Sequence, residues 1–483
     1  MSAFRPILFI IGIFVVTMGL AMIVPAITDA IAGHRDWITF AISAGCAAFV
    51  GGLMVTGSMG SPITLTLRQG FALTTLSWIV FSAVGALPLA FSGLGLSYAD
   101  AFFEAVSGLT TTGSTVLVGL DTLPPGILLW RAMLQWVGGI GIIVMAIAML
   151  PYLRIGGMQL FRMESSDKSE KVLPRIAQMA TATSVAYALL TLGCAAAYAF
   201  AGMTGFEAVT HAMSTVSTGG YSTYDASLGH FANPAIEWVA MVFMLLGALP
   251  FVIYIQIAHG RGAAVWNNSE VRAFLGIVVA VSLTVTVWLW LVRDERLVDA
   301  FRLVTFNVVS VVTTTGFATT DYGQWGGLAV VVFFILTFIG GCTGSTAGGI
   351  KMLRLELAAL MVRNQFQRLY QPHGILIIRY RGQAVADDVV KSAMNFIFIF
   401  ILSFAVLSIC LSAVGLDFIT AVSGAATALA NVGPGLGPVI GPAGNFSTLP
   451  DAAKWLLSAG MLLGRLEFLT LLVMLSPRFW RDW

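Results

Sequence analysis

The 483 residues carry 58% hydrophobic and only 10% charged side chains, against about 25% charged in an ordinary soluble domain. A water-soluble protein of this size cannot hide that much apolar surface, so the chain belongs in a lipid bilayer. The net charge of +2 is uninformative as a sum, and the placement of charge has to carry the argument.

A helix needs about 20 apolar residues to cross a hydrocarbon core of about 30 Å. Ten stretches qualify in chain order, beginning with 6–31. That run follows Arg5 and exceeds the about 7–15 residues of a signal-peptide core, so it reads as a first transmembrane helix. The others are 37–57, 70–92, 127–150, 178–201, 235–258, 272–292, 326–369 (long and interrupted), 390–414 and 453–475. Four intervening segments, 93–126, 202–234, 293–325 and 415–452, each start with a short, acid-headed apolar stretch. These are too short to span and too apolar for ordinary loops, which makes them re-entrant half-helices. Irregular backbone after such a half-helix is tolerated at membrane depth only where it is buried in protein or lines a water-filled cavity.

Basic residues test the count, because cytoplasmic loops are enriched in them. With both termini cytoplasmic, 58–69, 151–177, 259–271 and 350–390 fall on the same side, and with their flanks hold 18 of the 25 Lys and Arg. Arg154, Arg162, Lys168, Lys171, Arg175, Lys351, Arg354, Arg363, Arg368, Arg379 and Arg381 are among them. Arg35, Arg293, Arg296, Arg302 and Lys454 fall opposite; Arg131 and Arg465 lie at or within apolar helices. Arg131, near the outer end of its helix, is expected to snorkel to the interface.

"FEAVSGLTTTGSTV" from Phe103 and "FNVVSVVTTTGFAT" from Phe306 share Phe, Val, Ser, three Thr and Gly at the same offsets. All four re-entrant segments align on one glycine: Gly113, Gly220, Gly316 and Gly433. Six residues earlier stand Ser107, Ser214, Ser310 and Thr427; two residues earlier stand Thr111, Thr218, Thr314 and Asn431. The glycines are 107, 96 and 117 residues apart, so each marks a unit of helix, half-helix with loop, and helix. The expected organisation is two N-terminal helices (1–69) and four pore repeats: 70–177, 178–271, 272–389 (with the interrupted helix) and 390–483. The fold class is all-α and polytopic, with four pseudo-repeats around one central pore.

Such a ring suits a dehydrated monovalent cation. Backbone carbonyls replace water oxygens without net charge. Glycine allows φ > 0, so successive carbonyls can turn to one side. Each half-helix would aim its partly negative C-terminus at the pore. The glycine loops lack a ring of acidic side chains, so the chemistry asks for K⁺ or a close relative. The filter residues are Thr111, Thr112 and Gly113; Thr218, Gly219 and Gly220; Thr314, Thr315 and Gly316; and Asn431, Val432 and Gly433. Asp100, Glu104, Glu207, Asp299 and Asp417 head the half-helices and are expected to complement their N-terminal dipoles. His211 and His230 are expected in outer-side packing, and Cys46, Cys194, Cys342 and Cys410 as buried free thiols.

"GGCTGSTAGG" (340–349) cannot be a stable helix interior with five glycines in ten positions. It is expected to lie under the filter as a gate, through Gly340, Gly341, Gly344, Ser345, Thr346, Gly348 and Gly349, followed by Lys351. Arg465, almost in the middle of the last span, costs at least about 2.5–3.5 kcal/mol to insert and must find oxygen partners. Glu467 is on a different helix face, so carbonyls of the 340–349 loop are the expected acceptors, which makes Arg465 a latch. No GK[ST] follows these glycines, so the segment is no phosphate loop.

Over essentially its whole length the chain resembles the TrkH/KtrB/HKT superfamily of potassium transporters. The resemblance rests on "GLTTTGST", "STGGYST", "TTTGFATTD", "NVGPGLGP", "GGCTGSTAGGIK" and "GMLLGRLEFLTLLVM". Two extra N-terminal spans look like the TrkH branch rather than the shorter KtrB branch. The resemblance implies K⁺ uptake through one pore in a bacterial inner membrane, with K⁺ as the transported ion and no organic cofactor. It also implies a homodimer resting on a cytosolic, nucleotide-binding regulatory subunit of TrkA type; no nucleic-acid partner is expected. The loops share only Gly with a strict TVGYG filter. A Na⁺-coupled, Na⁺-permeable or H⁺-coupled K⁺ carrier, a symporter, is the alternative. A membrane-embedded enzyme would need clustered His, Asp or Glu in the spans, which the sequence lacks.

Overall fold

The computed structural model describes residues 4–60, 65–149, 172–293, 296–374, 377–466, 468–474 and 476–481. Arg154, Arg162, Lys168, Lys171 and Glu467 lie outside the described residues, as does most of 151–177. The N-terminal part is α1 (Arg5–Ala21), α2 (Ile23–Ala32) and α3 (Trp37–Ser58). The break between α1 and α2 follows from Pro25, whose ring excludes the hydrogen bond to the carbonyl four residues back, that of Ala21. Small residues bring α1 and α3 together, as is usual in membranes: a Cβ on Gly51 would lie 2.7 Å from Gly12 O.

The first repeat comprises α4 (Leu67–Phe91), half-helix α5 (Tyr98–Leu109) and α6 (Pro125–Met149). The second comprises α7 (Val172–Phe200), half-helix α8 (Gly205–Val216), α9 (Pro234–Ala248) and α10 (Phe251–Ala258). The third has α11 (Ser269–Arg293), half-helix α12 (Leu297–Val312), α13 (Gly327–Phe338) and α14 (Met352–Tyr370). A two-stranded hairpin, β1 (Arg379–Tyr380) and β2 (Gln383–Ala384), joins it to the fourth repeat. That repeat holds α15 (Asp387–Ala413), half-helix α16 (Phe418–Ala430), α17 (Asp451–Arg465) and α18 (Phe468–Met474).

Seven helices among the described residues are long and apolar enough to cross a membrane. The stretch 235–258, expected as one span, is instead bent by 92° between α9 and α10. Pro250 explains the bend, since it cannot donate to Leu246 O; the Tyr254 hydroxyl takes that carbonyl at 2.5 Å. The run 326–369 is interrupted as expected, between Phe338 and Met352. Arg465 is the last residue of α17, with Leu466 as its C-cap and α18 starting at Phe468. The thiols are free, but only Cys194 and Cys342 are buried, whereas Cys410 is half-buried and Cys46 is exposed. An apolar setting in a membrane protein is as much a lipid-facing surface as an interior.

Candidate functional site

The half-helices start with strong caps. Ser97 with Asp100, and Thr204 with Glu207, form reciprocal capping boxes, and Asp417 accepts the Thr420 N–H. Asp299 sits in the first turn of α12, which has no side-chain cap.

All four end alike. Thr111, Thr218, Thr314 and Asn431 adopt φ of 53°, 52°, 57° and 56°. The N–H of the next residue reaches back to the carbonyl of the Ser or Thr six before the aligned glycine. Thr112 bonds Ser107 O, Gly219 bonds Ser214 O and Thr315 bonds Ser310 O, each at 2.8 Å, and Val432 bonds Thr427 O at 3.1 Å. This closure terminates a helix with one left-handed residue, usually Gly. Three β-branched threonines take that place here, which stores backbone strain of the kind concentrated at functional sites.

The aligned glycines follow, with φ of 85°, 80°, 82° and 109° at Gly113, Gly220, Gly316 and Gly433. Each also meets its neighbour. A Cβ on Gly113 would lie 2.2 Å from Gly219 O, on Gly220 1.9 Å from Thr315 O, on Gly316 2.0 Å from Val432 O, and on Gly433 2.8 Å from Thr112 O. The order runs from repeat one to two, three, four and back to one. The four loops therefore close into a single ring of backbone, where any side chain at the glycine would collide with the next repeat's carbonyl.

The segment 340–349 packs against this ring from three repeats. Gly348 N–H donates to Thr314 Oγ1 at 2.7 Å, and Thr346 Oγ1 donates to Val216 O and Gly247 O at 3.1 and 3.0 Å. Thr218 Oγ1 lies 3.2 Å from Thr346 Oγ1. The bend between α9 and α10 frees Gly247 O and Ala248 O, which accept Thr346 N–H and Cys342 N–H at 3.2 and 3.0 Å. Phe251 N–H donates to Gly344 O at 3.0 Å. Gly344 and Gly349 have φ of 78° and 67°, and a Cβ on Gly340 would lie 2.0 Å from Gly348 O. Ser345 Oγ donates to Cys342 O at 2.6 Å, Met352 N–H to Gly341 O at 3.2 Å, and the Lys351 ammonium to Ala347 O.

Arg465 donates through Nη1 to Thr346 O at 2.8 Å. It is only 4% exposed, and its Nε and Nη2 have no hydrogen-bond partner among the described residues. A buried guanidinium thus sits against the 340–349 segment, with no ion pair to a carboxylate among the described residues.

Several residues of the site escape sequence reasoning. Arg131 does not snorkel: it is 1% exposed and its Nε bonds Glu104 Oε1 at 2.8 Å. Glu104 in turn is no dipole-capping residue. It is fully buried past the first turn of α5 and accepts Val116 N–H at 2.9 Å. His211 and Asn307 occupy the same offset, nine residues before their glycines. Each bonds the chain just beyond its glycine, at Ser222 Oγ (3.0 Å) and Thr319 Oγ1 (3.1 Å). The common offset is readable once the glycines are aligned; the varied chemistry of Glu, His and Asn hides it. His230 stacks on Tyr224 with ring centres 3.5 Å apart. Small residues on the helix after the first, second and fourth ring loops also matter. A Cβ on Gly138, Gly247 or Gly464 would lie 1.8, 2.8 or 2.1 Å from Leu109 O, Val216 O or Leu429 O.

Four half-helices with their C-termini gathered on one ring of uncharged oxygens define a membrane protein built to pass a cation. The family model described as "TrkH: Cation transport protein" matches residues 39–481, and the chain belongs to that family. It is 47% identical over 481 residues to the Trk system potassium uptake protein TrkI of Halomonas elongata, covering 99% of this chain and 97% of that one. It is 39% identical over 489 residues to the Trk system potassium uptake protein TrkH of Escherichia coli, covering 99% and 100%. The crystal structure of the potassium transporter TrkH from Vibrio parahaemolyticus superposes with a TM-score of 0.92 at 38% identity, over 99% of this chain and all of that one.

Proposed function

We propose that this chain is the membrane subunit of a bacterial potassium uptake system, as its relatives are named, with K⁺ passing through the ring of Thr112, Gly219, Thr315 and Val432 carbonyls. The observation that carries the reading is the cyclic packing of each glycine on the next repeat's carbonyl, which builds a site of neutral oxygens fitted to a dehydrated monovalent cation. The 340–349 segment acts as the gate, and Arg465 as the latch that holds it closed and repels a cation beneath the ring. Lys351 and Arg354, just beyond the segment, are where a partner would pull.

In this reading the protein sits in the inner membrane with both termini cytoplasmic, as a homodimer on a cytosolic nucleotide-binding regulatory subunit of TrkA type. Membrane potential suffices as the driving force. About 2.3 kcal/mol per charge per 100 mV gives about 3.5 kcal/mol at ~150 mV, or roughly 300-fold accumulation.

The test is ion flux into liposomes containing only this purified chain. K⁺ and Rb⁺ should enter faster than Na⁺ or Li⁺, and entry should follow an imposed potential without a pH gradient. Uptake that vanishes with the pH gradient at fixed potential would replace this reading with a proton-coupled carrier.

A further inference from the structure

In three of the four ring loops the residue before the aligned glycine carries a side chain: Thr112, Thr315 and Val432. In two of these loops a hydroxyl is tied down. Thr112 Oγ1 pairs with Thr110 Oγ1 at 2.7 Å and accepts Asn431 Nδ2–H at 3.0 Å, and Thr315 Oγ1 pairs with Thr313 Oγ1 at 2.8 Å. The second repeat has Gly219 there, although Gly219 does not have positive φ. Its lack of a side chain has another cause. A Cβ on Gly219 would lie 2.4 Å from Cδ of Gln135, which reaches in from α6 of the first repeat.

Gln135 is completely buried. Its Nε2 donates to Gly219 O at 2.6 Å and its Oε1 accepts Tyr221 N–H at 3.0 Å. The amide therefore brackets the backbone on both sides of Gly220. A second link lies one turn away on the same helix: Arg131, paired with Glu104, donates through Nη1 to Ser222 O at 3.0 Å and stands 4.0 Å over the Tyr221 ring. The Tyr221 hydroxyl returns to Glu104 O at 2.8 Å.

The geometry points to Gln135 as a positioning residue for ion selectivity, a side chain lent by the first repeat to the ring loop of the second. The inference rests on the ring being the K⁺ filter proposed above. Gly219 O is also the oxygen that abuts Gly113. A carbonyl has two lone pairs, so the amide engages one and leaves the other for an ion. Gln135 thereby sets both the position and the strength of one of four ring oxygens. Without it, Gly219 is the most mobile of the four positions, because glycine has the widest backbone freedom.

The experiment measures Rb⁺ uptake with Na⁺ competition, per correctly inserted molecule, in liposomes containing purified protein. Gln135→Leu removes both bonds at similar volume and should lower the preference for Rb⁺ over Na⁺ by roughly tenfold, as expected for two lost hydrogen bonds. Met244→Leu, three residues before Gly247 as Gln135 is before Gly138, tests helix packing alone. An equal loss of preference there would assign the effect to packing and overturn the inference. Gly219→Thr should abolish flux by collision with the amide, and the double change Gly219→Thr with Gln135→Ala should restore flux above the level of Gly219→Thr alone. That rescue decides the case if Gln135→Leu does not insert; no rescue overturns the inference. Wild-type protein with no preference for Rb⁺ over Na⁺ would instead defeat the filter reading itself, while a selective wild type with an equally selective Gln135→Leu defeats only the role of Gln135.

Discussion

Thr343 N–H donates to Glu270 Oε2 at 2.8 Å, and this bond ties the 340–349 segment to the first turn of α11. The other carboxylate oxygen faces the β1–β2 hairpin: Tyr380 Oη lies 3.4 Å and Arg381 Nη2 3.6 Å from Glu270 Oε1. One carboxylate thus joins the proposed gate to the hairpin between α14 and α15. The hairpin is itself anchored, with Ser269 Oγ 3.1 Å from Tyr380 Oη and 3.0 Å from Glu356 Oε2.

Glu270→Ala should therefore loosen the gate. A hydrogen bond to a charged group contributes about 1.5–3 kcal/mol, so a bond that forms only in the closed state shifts the closed-to-open ratio by about ten- to a hundredfold. Basal Rb⁺ flux per inserted molecule should rise by that order, and Glu270→Gln, which keeps an acceptor for Thr343 N–H, should rise less. Equal flux in wild type and Glu270→Ala would show that the bond does not oppose opening.

The ring glycines make a second expectation. Gly113→Ser, Gly316→Ser and Gly433→Ser each introduce a side chain where φ is positive and a neighbouring carbonyl stands 2.2, 2.0 or 2.8 Å from the new Cβ. Flux of Rb⁺ should fall and Na⁺ should compete better in each, measured by uptake in cells lacking other K⁺ uptake systems. Wild-type selectivity in all three would remove the carbonyl ring from the mechanism.

The strained threonines give a stability prediction. A left-handed conformation costs an L-residue about 1–2 kcal/mol, and Asn tolerates it better than a β-branched residue. Thr111→Asn brings the first repeat to the residue that the fourth already uses at Asn431. It should raise the thermal unfolding midpoint in detergent while lowering flux, because the buried Thr111 hydroxyl has no protein hydrogen-bond partner among the described residues. A fall in the midpoint would mean that Thr111 holds its position through packing that outweighs the strain.

What the sequence made legible follows from symmetry and solvation. The ring was readable because four copies must each solve the same problem, a left-handed helix stop followed by a glycine with no room for Cβ. The acceptor of Arg465 was readable because a buried guanidinium needs oxygen, and an interrupted helix supplies free carbonyls. The burial of Arg131 is hidden in the sequence because its partner, Glu104, lies 27 residues away on another helix, and hydropathy carries no information on how two helices are rotated against each other. The bend at Pro250 was hidden by an unbroken apolar run, since transmembrane helices accommodate proline when neighbours satisfy the freed carbonyls. Here the neighbour is the 340–349 segment, some 95 residues further on.

Arg465 supports the most decisive experiment. Among the described residues its one hydrogen bond, from Nη1 to Thr346 O, falls on the residue whose hydroxyl also bonds Val216 O and Gly247 O. Removing the guanidinium leaves Thr346, among the described residues, held to the second repeat and takes away the buried positive charge beside the proposed gate. Both changes favour opening, the first by about 1.5–3 kcal/mol for a charge-assisted bond. Arg465→Ala should raise basal K⁺ flux about tenfold or more and weaken its dependence on a cytosolic partner. A short deletion within residues 344–348 should do the same by a different route, because it removes the proposed plug rather than its proposed latch. If Arg465 only braces the fold, Arg465→Ala gives poor insertion and reduced flux instead. Flux normalised to correctly inserted protein separates the two, and a decrease in both variants would rule out the latch.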